Sequence, residues 1–546
     1  MIYRNLLSYI NYFFSFFSFF SSKLKKVYLN SSIYNNKISK VYNNDFEYRP
    51  SSNLLDCLIK YDKKKKKIED YALDSVWAVQ NIKAKDYTKL QSFFWLFSID
   101  LKSSKNKTQS IISNWIDVNC KYNSKSWEFD ITSKRIISWL SNSKLTYEES
   151  SDNYKKKFNQ MIQKQANHLI NEIDKSEWVE DKMIGCTAII LVGLSYHDKT
   201  HYLNFGTNLL KKIIKFSFDN TSFPKSRNIR QLNFYLKYFV LIRELLKESQ
   251  NEIPEYIDEI IYYLGQAYAL IWQNIKYDIL FNGNHQSNNL DFDNYLSRLG
   301  YKFKNDNTEV GGYAILKNKK ISLIMDVGPS PDKKFSSNYQ SGVLSFEIIS
   351  SGRKLITNSG YFKNFNHQLN KLSKSTAVHS TLVIENNSTC KFSKVSNSNS
   401  LIHDGLKIIK KNIIFEKDYW KINASHDGYL KKYNTIHERQ IEFYPGQIKF
   451  VGHDKIKSKN YDKSLNFEMR FHLEPNVKTM KTQDNKSILI ELDNEGWKFT
   501  CDDFDISIDN GLFFGGKNSY TENQNILISG MTQGQNQTIK WKLTKL

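Results

Sequence analysis

Cysteine, proline and glycine are all scarce in this chain, and each shortage argues against a class of structure. There are 5 cysteines in 546 residues, and no two of them form a Cys-x-x-Cys pair. This disfavours a disulfide framework or a zinc ribbon. The cysteines are instead expected to be small buried apolar residues: Cys57, Cys120, Cys186, Cys390 and Cys501. With 7 prolines and 22 glycines, a loop-rich or all-β chain is disfavoured, and long helices are expected.

Familiar fingerprints of several enzyme classes are also missing. The sequence contains no phosphate P-loop, no Rossmann glycine pattern, no Gly-x-Ser-x-Gly elbow and no His-Glu-x-x-His string. It also lacks a helix-turn-helix, a zinc finger and an RNP-like string. Nucleic acid is therefore not predicted as a partner, in spite of the net charge of +22.

Apolar and aromatic residues, by contrast, are plentiful. They make up 40% and 14% of the chain, enough for packed cores, and the length favours two large domains or three ordinary ones. The positive charge has two interpretations that the sequence leaves open. It indicates either a polyanionic partner such as an acidic polysaccharide, or only a lysine-rich composition throughout the chain.

Residues 1–30 form an aromatic N-terminal segment. Leu6–Phe20 contains three phenylalanine doublets separated by single serines, with Arg4 before it and lysines after it. One interpretation is a signal peptide or signal anchor, although the stretch is short for a membrane span and no cleavage site stands out. The other is a helix docked on the protein or lying on a membrane surface, which would give a peripheral membrane contact.

A helical apolar period dominates from about residue 70 to 275. Met183–Tyr196 is nearly all apolar and is expected to be buried on several sides. Further helices are predicted at Asp74–Val79, Leu90–Leu101, Ile111–Val118, Ile136–Leu140, Tyr154–Ile173, Phe205–Phe216, Leu232–Leu246 and Tyr256–Trp272. Short polar links join them and no βαβ alternation appears. Residues 31–300 are therefore predicted to form a toroid-like domain of stacked helical hairpins.

The period changes near residue 310, after a polar, asparagine-rich stretch. Tyr313–Leu316 and Ile321–Met325, joined by Asn318 and Lys319, predict a β-hairpin. Further strands are predicted at Val343–Ile349, Leu355–Thr357, Ser380–Glu385, Ile441–Tyr444, Ile448–Val451, Asn466–Leu473, Ser487–Leu492, Ile506–Ile508, Ile526–Ser529 and Thr538–Leu543. Residues 301–546 are therefore predicted to form an antiparallel β-sandwich.

Three strings in this second half resemble the heparinase II/III family of polysaccharide lyases. Gly312–Gly328 is similar to the strand pair that opens the family's C-terminal domain, and Val343–Gly360 is similar to the strands that follow. Ser375–Ile384 matches the family's Ser-Thr-x-x-His-Ser/Asn-Thr strand entry. Weaker similarities to proteobacterial members lie upstream, in Phe281-Asn282-Gly283, Ser226-Arg227-Asn228, Trp127 and Ser138-Trp139-Leu140.

The resemblance implies β-elimination on a uronate-containing glycan, in a cleft between the helical and β domains. A carboxylate is neutralised, a base removes the C5 proton, and an acid protonates the departing oxygen. The sequence departs from the family pattern at several positions. The family's His-x-His-Ala loop corresponds to Asn338–Ser341, its metal-binding Asp to Asn358, and only His379 is kept. The family's Asn-His pair falls near Glu180 and Asp181, and its tyrosine near Gln231.

Seven residues are predicted to take over these roles. The catalytic candidates are His379, Tyr339 and Asn338, and the substrate-binding candidates are Arg227, His285, Gln340 and Asn358. No cofactor is predicted. A metal at Gln340, Asn358 and His379 is disfavoured because this trio lacks an anionic ligand.

Two functions follow from the resemblance. The first is a lyase-like protein that acts on an acidic polysaccharide. The second is an inactive homologue that binds or helps to process an acidic cell-surface glycan, which the missing histidines favour. The family resemblance points to the cell envelope or periplasm, with the cytoplasm as the alternative, and the sequence does not indicate an oligomeric state.

Overall fold

The computed structural model describes residues 23–42, 46–58, 66–70, 84–287, 289–394, 400–459, 463–516 and 519–546. Two predicted segments, Leu6–Phe20 and Asp74–Val79, lie outside these residues. Within them, the first part of the chain is helical and the second part is built of antiparallel strands. This confirms the predicted fold class. The toroidal closure of the helices and the domain bounds at residues 30 and 300 stay predictions.

The helices follow one another along the first part of the chain, and a few short ones lie among the strands. They are α1 (Ser32–Ile38), α2 (Ala84–Gln91), α3 (Lys105–Asn119), α4 (Phe129–Ser141), α5 (Ser143–Thr146), α6 (Asp152–Glu172), α7 (Val179–Ser195), α8 (Asn204–Ser217), α9 (Ile229–Glu248), α10 (Glu255–Tyr268), α11 (Leu290–Arg298), α12 (Gln368–Ser373) and α13 (Leu430–Tyr433).

Helix starts are set by local chemistry. The Ser151 hydroxyl accepts a hydrogen bond from the Tyr154 backbone N–H at the start of α6, and Asp152 lies in the first turn. The hydroxyl satisfies one otherwise unpaired N–H group of the helix N-terminus, and the negative charge of Asp152 is favourable at that end of the helix dipole. Helix α7 is buried continuously from Met183 to Ser195, as its apolar sequence predicts.

The predicted helix Leu90–Leu101 is wrong in its extent. Helix α2 ends at Gln91, Phe93 takes a left-handed conformation with φ of 57°, and a 3-10 turn spans Phe94–Ser98. The Phe93 ring is fully buried and lies edge-on to Trp115 and Trp139. Packing of this ring outweighs the local preference for a continuous helix.

Nineteen strands are found among the described residues, and they form two large sheets and a hairpin. Strands β1 (Glu309–Val310), β2 (Tyr313–Lys317), β3 (Ile321–Asp326), β4 (Phe346–Ser350), β5 (Arg353–Thr357), β6 (Leu382–Ile384), β13 (Asn466–Leu473), β17 (Ile506–Phe513) and β18 (Thr521–Met531) form one sheet. The other contains β9 (Ile408–Phe415), β10 (Trp420–His426), β11 (Thr435–Tyr444), β12 (Lys449–Ser458), β14 (Lys478–Lys481), β15 (Ser487–Leu492), β16 (Glu495–Thr500) and β19 (Asn536–Lys545). The hairpin is β7 (Lys391–Lys394) with β8 (Ser400–Asp404).

The two large sheets share one apolar core. Phe346 of β4 stacks on Trp541 of β19 with ring centroids 5.5 Å apart, and the buried residues of both sheets belong to a single cluster. The packing of two antiparallel sheets face to face is that of the predicted sandwich.

Seven strands were not predicted from the sequence: β1, β7, β8, β9, β10, β14 and β16. Strand β9 illustrates the reason, since none of its eight residues is fully buried and five of them are exposed. A strand without a buried face carries no apolar alternation.

A charged network lies inside the sandwich. The Asp454 carboxylate accepts from the Arg439 Nε at 2.7 Å and from the Trp541 Nε1 at 2.9 Å, and lies 2.7 Å from the His437 Nε2. Burial works to raise the pKa of Asp454, but Arg439 and His437 outweigh it and hold that pKa at about 2. The carboxylate is therefore ionised in the core.

Two compact units divide the described chain. One holds the described residues up to Phe216 together with Lys237–Asp258, and the other holds Ser217–Leu236 and Glu259–Leu546. All five cysteines are free, and only Cys120 is exposed. No helix in the described ranges combines the length and apolar character needed to cross a bilayer.

Removal of the buried carboxylate is expected to be costly. Asp454→Ala leaves Arg439 and His437 buried without their partner, and should lower the free energy of unfolding by about 3–5 kcal/mol. Denaturant unfolding measures the change. Asp502→Ala is the control, because this residue pairs with Lys542 at 3.4 Å on the surface and should cost less than about 1 kcal/mol. Equal losses in the two variants would contradict the argument.

Candidate functional site

The candidate site is built on an asparagine-glycine turn at residues 282–283. Asn282 has a φ of 44° and Gly283 a φ of 84°, in the left-handed region that favours glycine. A Cβ on Gly283 would lie 2.6 Å from the Asn228 Nδ2 and 2.9 Å from the Asn338 Cβ. Three segments distant in sequence therefore meet here only because residue 283 has no side chain.

Arg227 fastens one of these segments to the sandwich. Its guanidinium donates to the backbone oxygens of Gly311, Gly312 and Pro329 at 3.0 Å each, and to the Asp326 carboxylate at 2.6 Å. Burial opposes the charge, but Asp326 raises the pKa of Arg227 above its ordinary value. The structure thus places Arg227 in a buried ion pair, and its predicted contact with substrate stays a prediction.

Gln340 and Asn358 are both buried and hydrogen-bonded to the protein. The Gln340 amide donates to the backbone oxygens of Gly360 at 2.9 Å and Ser373 at 2.5 Å, and accepts from the Gly283 N–H at 3.0 Å. The Asn358 Oδ1 accepts from the Ser380 N–H at 3.0 Å. Both residues therefore hold loops in place in this structure.

The metal site considered for Gln340, Asn358 and His379 does not fit this arrangement. The oxygen of each amide already accepts a backbone N–H, and an amide nitrogen is a donor that does not bind metal ions. The His379 Nδ1 lies 2.8 Å from the Ser375 oxygen, so only its Nε2 remains. We derive no step through a metal.

Two of the three catalytic candidates, His379 and Tyr339, are each 1% exposed. Burial lowers the pKa of His379 to about 4 and raises that of Tyr339 well above its ordinary value. The His379 Nε2 and the Tyr339 hydroxyl have no hydrogen-bond partner among the described residues. Their catalytic roles stay predictions, and contact with a glycan would require the surrounding loops to open.

Asn338 is more accessible and takes part in a chain of amides and a phenol. Its Oδ1 accepts from the Tyr361 hydroxyl at 3.1 Å, and that hydroxyl accepts from the Asn370 Nδ2 at 3.2 Å. Burial raises the pKa of Tyr361 to about 12, with Asn370 and Arg230 opposing the rise. Asn338 is held through its oxygen, which leaves its NH2 group as a donor.

His285 is half-buried and lies in a positive field. Its Nδ1 is 3.1 Å from the Gln286 carbonyl oxygen, which favours the tautomer with a proton on Nδ1 and a lone pair on Nε2. Burial and, to a smaller extent, the positive charges of Arg230 and Lys363 together lower the pKa of His285 to about 4. We call Arg230, His285 and Lys363 the cationic cluster. In it, two cations act electrostatically on a neutral imidazole.

Sequence reasoning found His285 but missed the two cations. Arg230 lies in the first turn of α9, where the Asn228 Oδ1 caps the helix by accepting from the Arg230 N–H at 2.9 Å. The one feature of the sequence that could have indicated Arg230 as a site residue is its position three residues after Arg227. Lys363 follows Tyr361 in a loop, and nothing in its sequence neighbourhood distinguishes it from the other lysines.

Comparison with known proteins gives a family match for the second part of the chain. Residues 304–542 match the model of the family described as Heparinase II/III-like, C-terminal. A relative from Caulobacter vibrioides, named FtsZ-localized protein C, is 26% identical over 248 residues. This match covers 43% of the present chain and 42% of the relative, so the chain spans less than half the length of that protein.

Solved structures show similarity of the fold over almost the whole chain. A heparinase III with methylated lysines superposes with a TM-score of 0.69 at 12% identity, covering 93% of this chain and 86% of the other. A mutant of the heparan sulfate lyase HepC from Pedobacter heparinus gives a TM-score of 0.66 at 13% identity, covering 94% and 87%. At such identities the likeness concerns the fold alone.

The buried histidines predict acid sensitivity. Burial lowers the pKa of His379 to about 4 and of His472 to about 3, and it lowers the pKa of His426 and His437 too. An unfolded histidine takes up its proton near pH 6.5, so stability is full above that pH and falls as the pH drops towards 4. Each such histidine contributes up to about 1.4 kcal/mol per pH unit.

Urea unfolding between pH 7 and pH 4.5 measures this dependence. His379→Gln should flatten it by about one proton's contribution, and His403→Gln, which removes an exposed imidazole, should not. An unchanged slope in His379→Gln would mean that His379 titrates in the folded protein as it does in the unfolded chain.

The hydroxyl of Tyr339 is expected to contribute nothing to stability. Tyr339→Phe removes a buried polar group without a described partner, so the free energy of unfolding should stay level or rise by about 1 kcal/mol. Tyr313→Phe is the matched control. Its hydroxyl donates to the Arg227 oxygen at 2.5 Å and accepts from Asn282 at 2.7 Å, so its loss should cost about 1–3 kcal/mol. A destabilised Tyr339→Phe would show that the hydroxyl has a partner.

Proposed function

We propose that this chain, whose residues 304–542 match the family model described as Heparinase II/III-like, C-terminal, is a polysaccharide lyase-like protein that cleaves an acidic, uronate-containing glycan by β-elimination. The observation that carries the proposal is the cationic cluster, in which Arg230 and Lys363 act on the neutral imidazole of His285. The carboxylate of an acidic sugar would pair with the cations, and its C5 proton would be a target for the neutral imidazole.

The first requirement of the reaction is to neutralise the uronate carboxylate. Arg230 supplies a planar guanidinium, which binds carboxylates in bidentate fashion, and Lys363 adds a second positive charge. The free NH2 of Asn338 is a further donor. Withdrawal of charge from the carboxylate makes the C5 proton more acidic.

The second requirement is a base that is neutral before the reaction. His285 meets it, because its pKa of about 4 keeps it unprotonated at neutral pH. A bound carboxylate would offset the charges of Arg230 and Lys363 and so raise the pKa of His285 towards the range suited to proton transfer. The imidazole then gains strength as a base only when substrate is present.

In the proposed elimination the His285 Nε2 takes the C5 proton, a double bond forms between C4 and C5, and the C4–O bond breaks. The departing oxygen needs one proton, and the imidazolium formed in the first step carries one. A single residue can thus serve as base and acid when both groups lie on one face of the sugar. Gln340, Asn358, Arg227, His379 and Tyr339 support the loops of the site in this proposal.

A second candidate function is glycan binding without cleavage. The family's histidine loop is replaced by Asn338, Tyr339, Gln340 and Ser341, and Tyr339 and His379 are buried. The Caulobacter vibrioides relative is, moreover, named for localisation with FtsZ and not for a lyase activity. On this proposal the cationic cluster holds an acidic glycan in place.

The two functions are distinguished by incubation of the purified protein with heparan sulfate, chondroitin sulfate and alginate. A lyase produces an unsaturated uronate, which absorbs ultraviolet light. His285→Gln should reduce the rate by about 100- to 10,000-fold, as expected for loss of a general base. Arg230→Gln should lower both the rate and the affinity.

The control is His403→Gln, an exposed histidine outside the cluster, which should leave rate and affinity unchanged. The second function would be supported if the protein binds an acidic glycan without a gain in absorbance. In that case Arg230→Gln should weaken binding and His285→Gln should not. If no acidic glycan is bound or cleaved, both functions are wrong.

A further inference from the structure

Arg227 also contributes to the lining of a groove in the same compact unit. It has a volume of about 860 Å³, and its lining includes Tyr263 and Gln266 of α10, Asn307, and Phe335 in the 3-10 turn Lys333–Phe335. None of the three residues of the cationic cluster belongs to its lining. It is large enough to hold several sugar units.

The floor of the groove is closely packed around Arg227. A Cβ on Gly312 would lie 2.8 Å from the Arg227 Nη2, and one on Gly328 would lie 2.4 Å from its Cζ. The two glycines let the guanidinium lie flat against the backbone, where its hydrogen bonds to Gly311, Gly312 and Pro329 hold the loops together. A site with a preformed floor loses little conformational freedom when a ligand binds.

The walls combine aromatic rings with amides. Tyr263 is 43% exposed although it is a large aromatic residue, and Phe335 adds further ring surface. The side-chain amide of Gln266, one turn along the helix, makes no hydrogen bond to another described residue. Aromatic faces stack on the C–H faces of pyranose rings, and amides pair with their hydroxyl groups.

The charges on the lining balance. There are three cations, Lys225, Arg227 and Lys411, and three carboxylates, Asp219, Glu309 and Asp332. Arg227 is paired with Asp326 at 2.6 Å, and Lys411 with Glu309 at 2.5 Å. The positive and negative side chains of the lining are therefore equal in number, and an acidic sugar has no advantage in the groove.

We propose that this groove is a binding site for uncharged pyranose units of a glycan, with a ring stacked on Tyr263 and hydroxyl groups paired with Gln266. The proposal does not depend on the β-elimination. It adds a second glycan site of different charge preference to the same compact unit.

The test is calorimetric titration of the full chain with three uncharged oligosaccharides: maltohexaose, cellohexaose and chitohexaose. At least one should bind, and Tyr263→Ala should weaken that binding by about tenfold. Tyr520→Ala is the control. Tyr520 is 56% exposed and is not part of the lining, so its loss should leave the affinity within about twofold. Tyr262 is unsuitable because its ring contacts that of Tyr263, with centroids 5.3 Å apart.

His285→Gln separates this site from the proposed catalytic one. It should leave binding of the uncharged oligosaccharide intact whether or not it abolishes cleavage. The proposal is overturned if none of the three oligosaccharides binds, or if Tyr520→Ala weakens binding as much as Tyr263→Ala. It is also overturned if Tyr263→Ala weakens only the binding of acidic glycans.

Discussion

The buried ion pair between Arg227 and Asp326 connects the segments that carry the candidate site and the groove. Asp326 ends β3, and its other oxygen accepts from the Asn282 Nδ2 at 3.1 Å. One carboxylate thereby joins the loop before α9 to the asparagine-glycine turn. Loss of either partner would leave a buried charge unpaired, a defect that costs about 3–5 kcal/mol in proteins. Both the cationic cluster and the groove rest on this pair.

The ion pair also explains why two neighbouring cations, Arg227 and Arg230, have different roles. Arg227 is committed to the protein, because its guanidinium is surrounded by carbonyl oxygens and one carboxylate. Arg230, three residues later, is oriented by the helix cap at Asn228 and acts on His285. The net charge of +22 does not distinguish the two. The two arginines are distinguished only by the charged groups around each of them.

The histidines, like the arginines, differ in role because their surroundings differ, although the residue type is the same. His379 resembles the family's retained histidine, yet it lies inside the sandwich with a pKa lowered to about 4 by burial. His285 reaches a similar pKa while half-buried, and there the positive charges of Arg230 and Lys363 add to the effect of burial. A low pKa beside cations responds to an arriving anion, whereas a low pKa from burial alone does not.

Much of the architecture could be predicted from local pattern. The hairpin of β2 and β3 and the buried helix α7 were found because apolar period and turn residues agree there. Prediction failed where packing opposed the local pattern, as at Phe93, and where a strand has no buried face, as in β9. Of the candidate site, the sequence indicated His285, Arg227 and Asn338, but not that Arg230 and Lys363 would act on His285.

The amino-acid sequence by itself determined the order of most helices and strands and the resemblance of the second part of the chain to the heparinase II/III family, because periodicity and motif strings are local along the polypeptide. Only the tertiary structure decided which polar residues are buried and which can reach a ligand. Burial and electrostatic environment depend on contacts between segments far apart in sequence. Residues 227, 282 and 326 are one example, and no local pattern records such contacts.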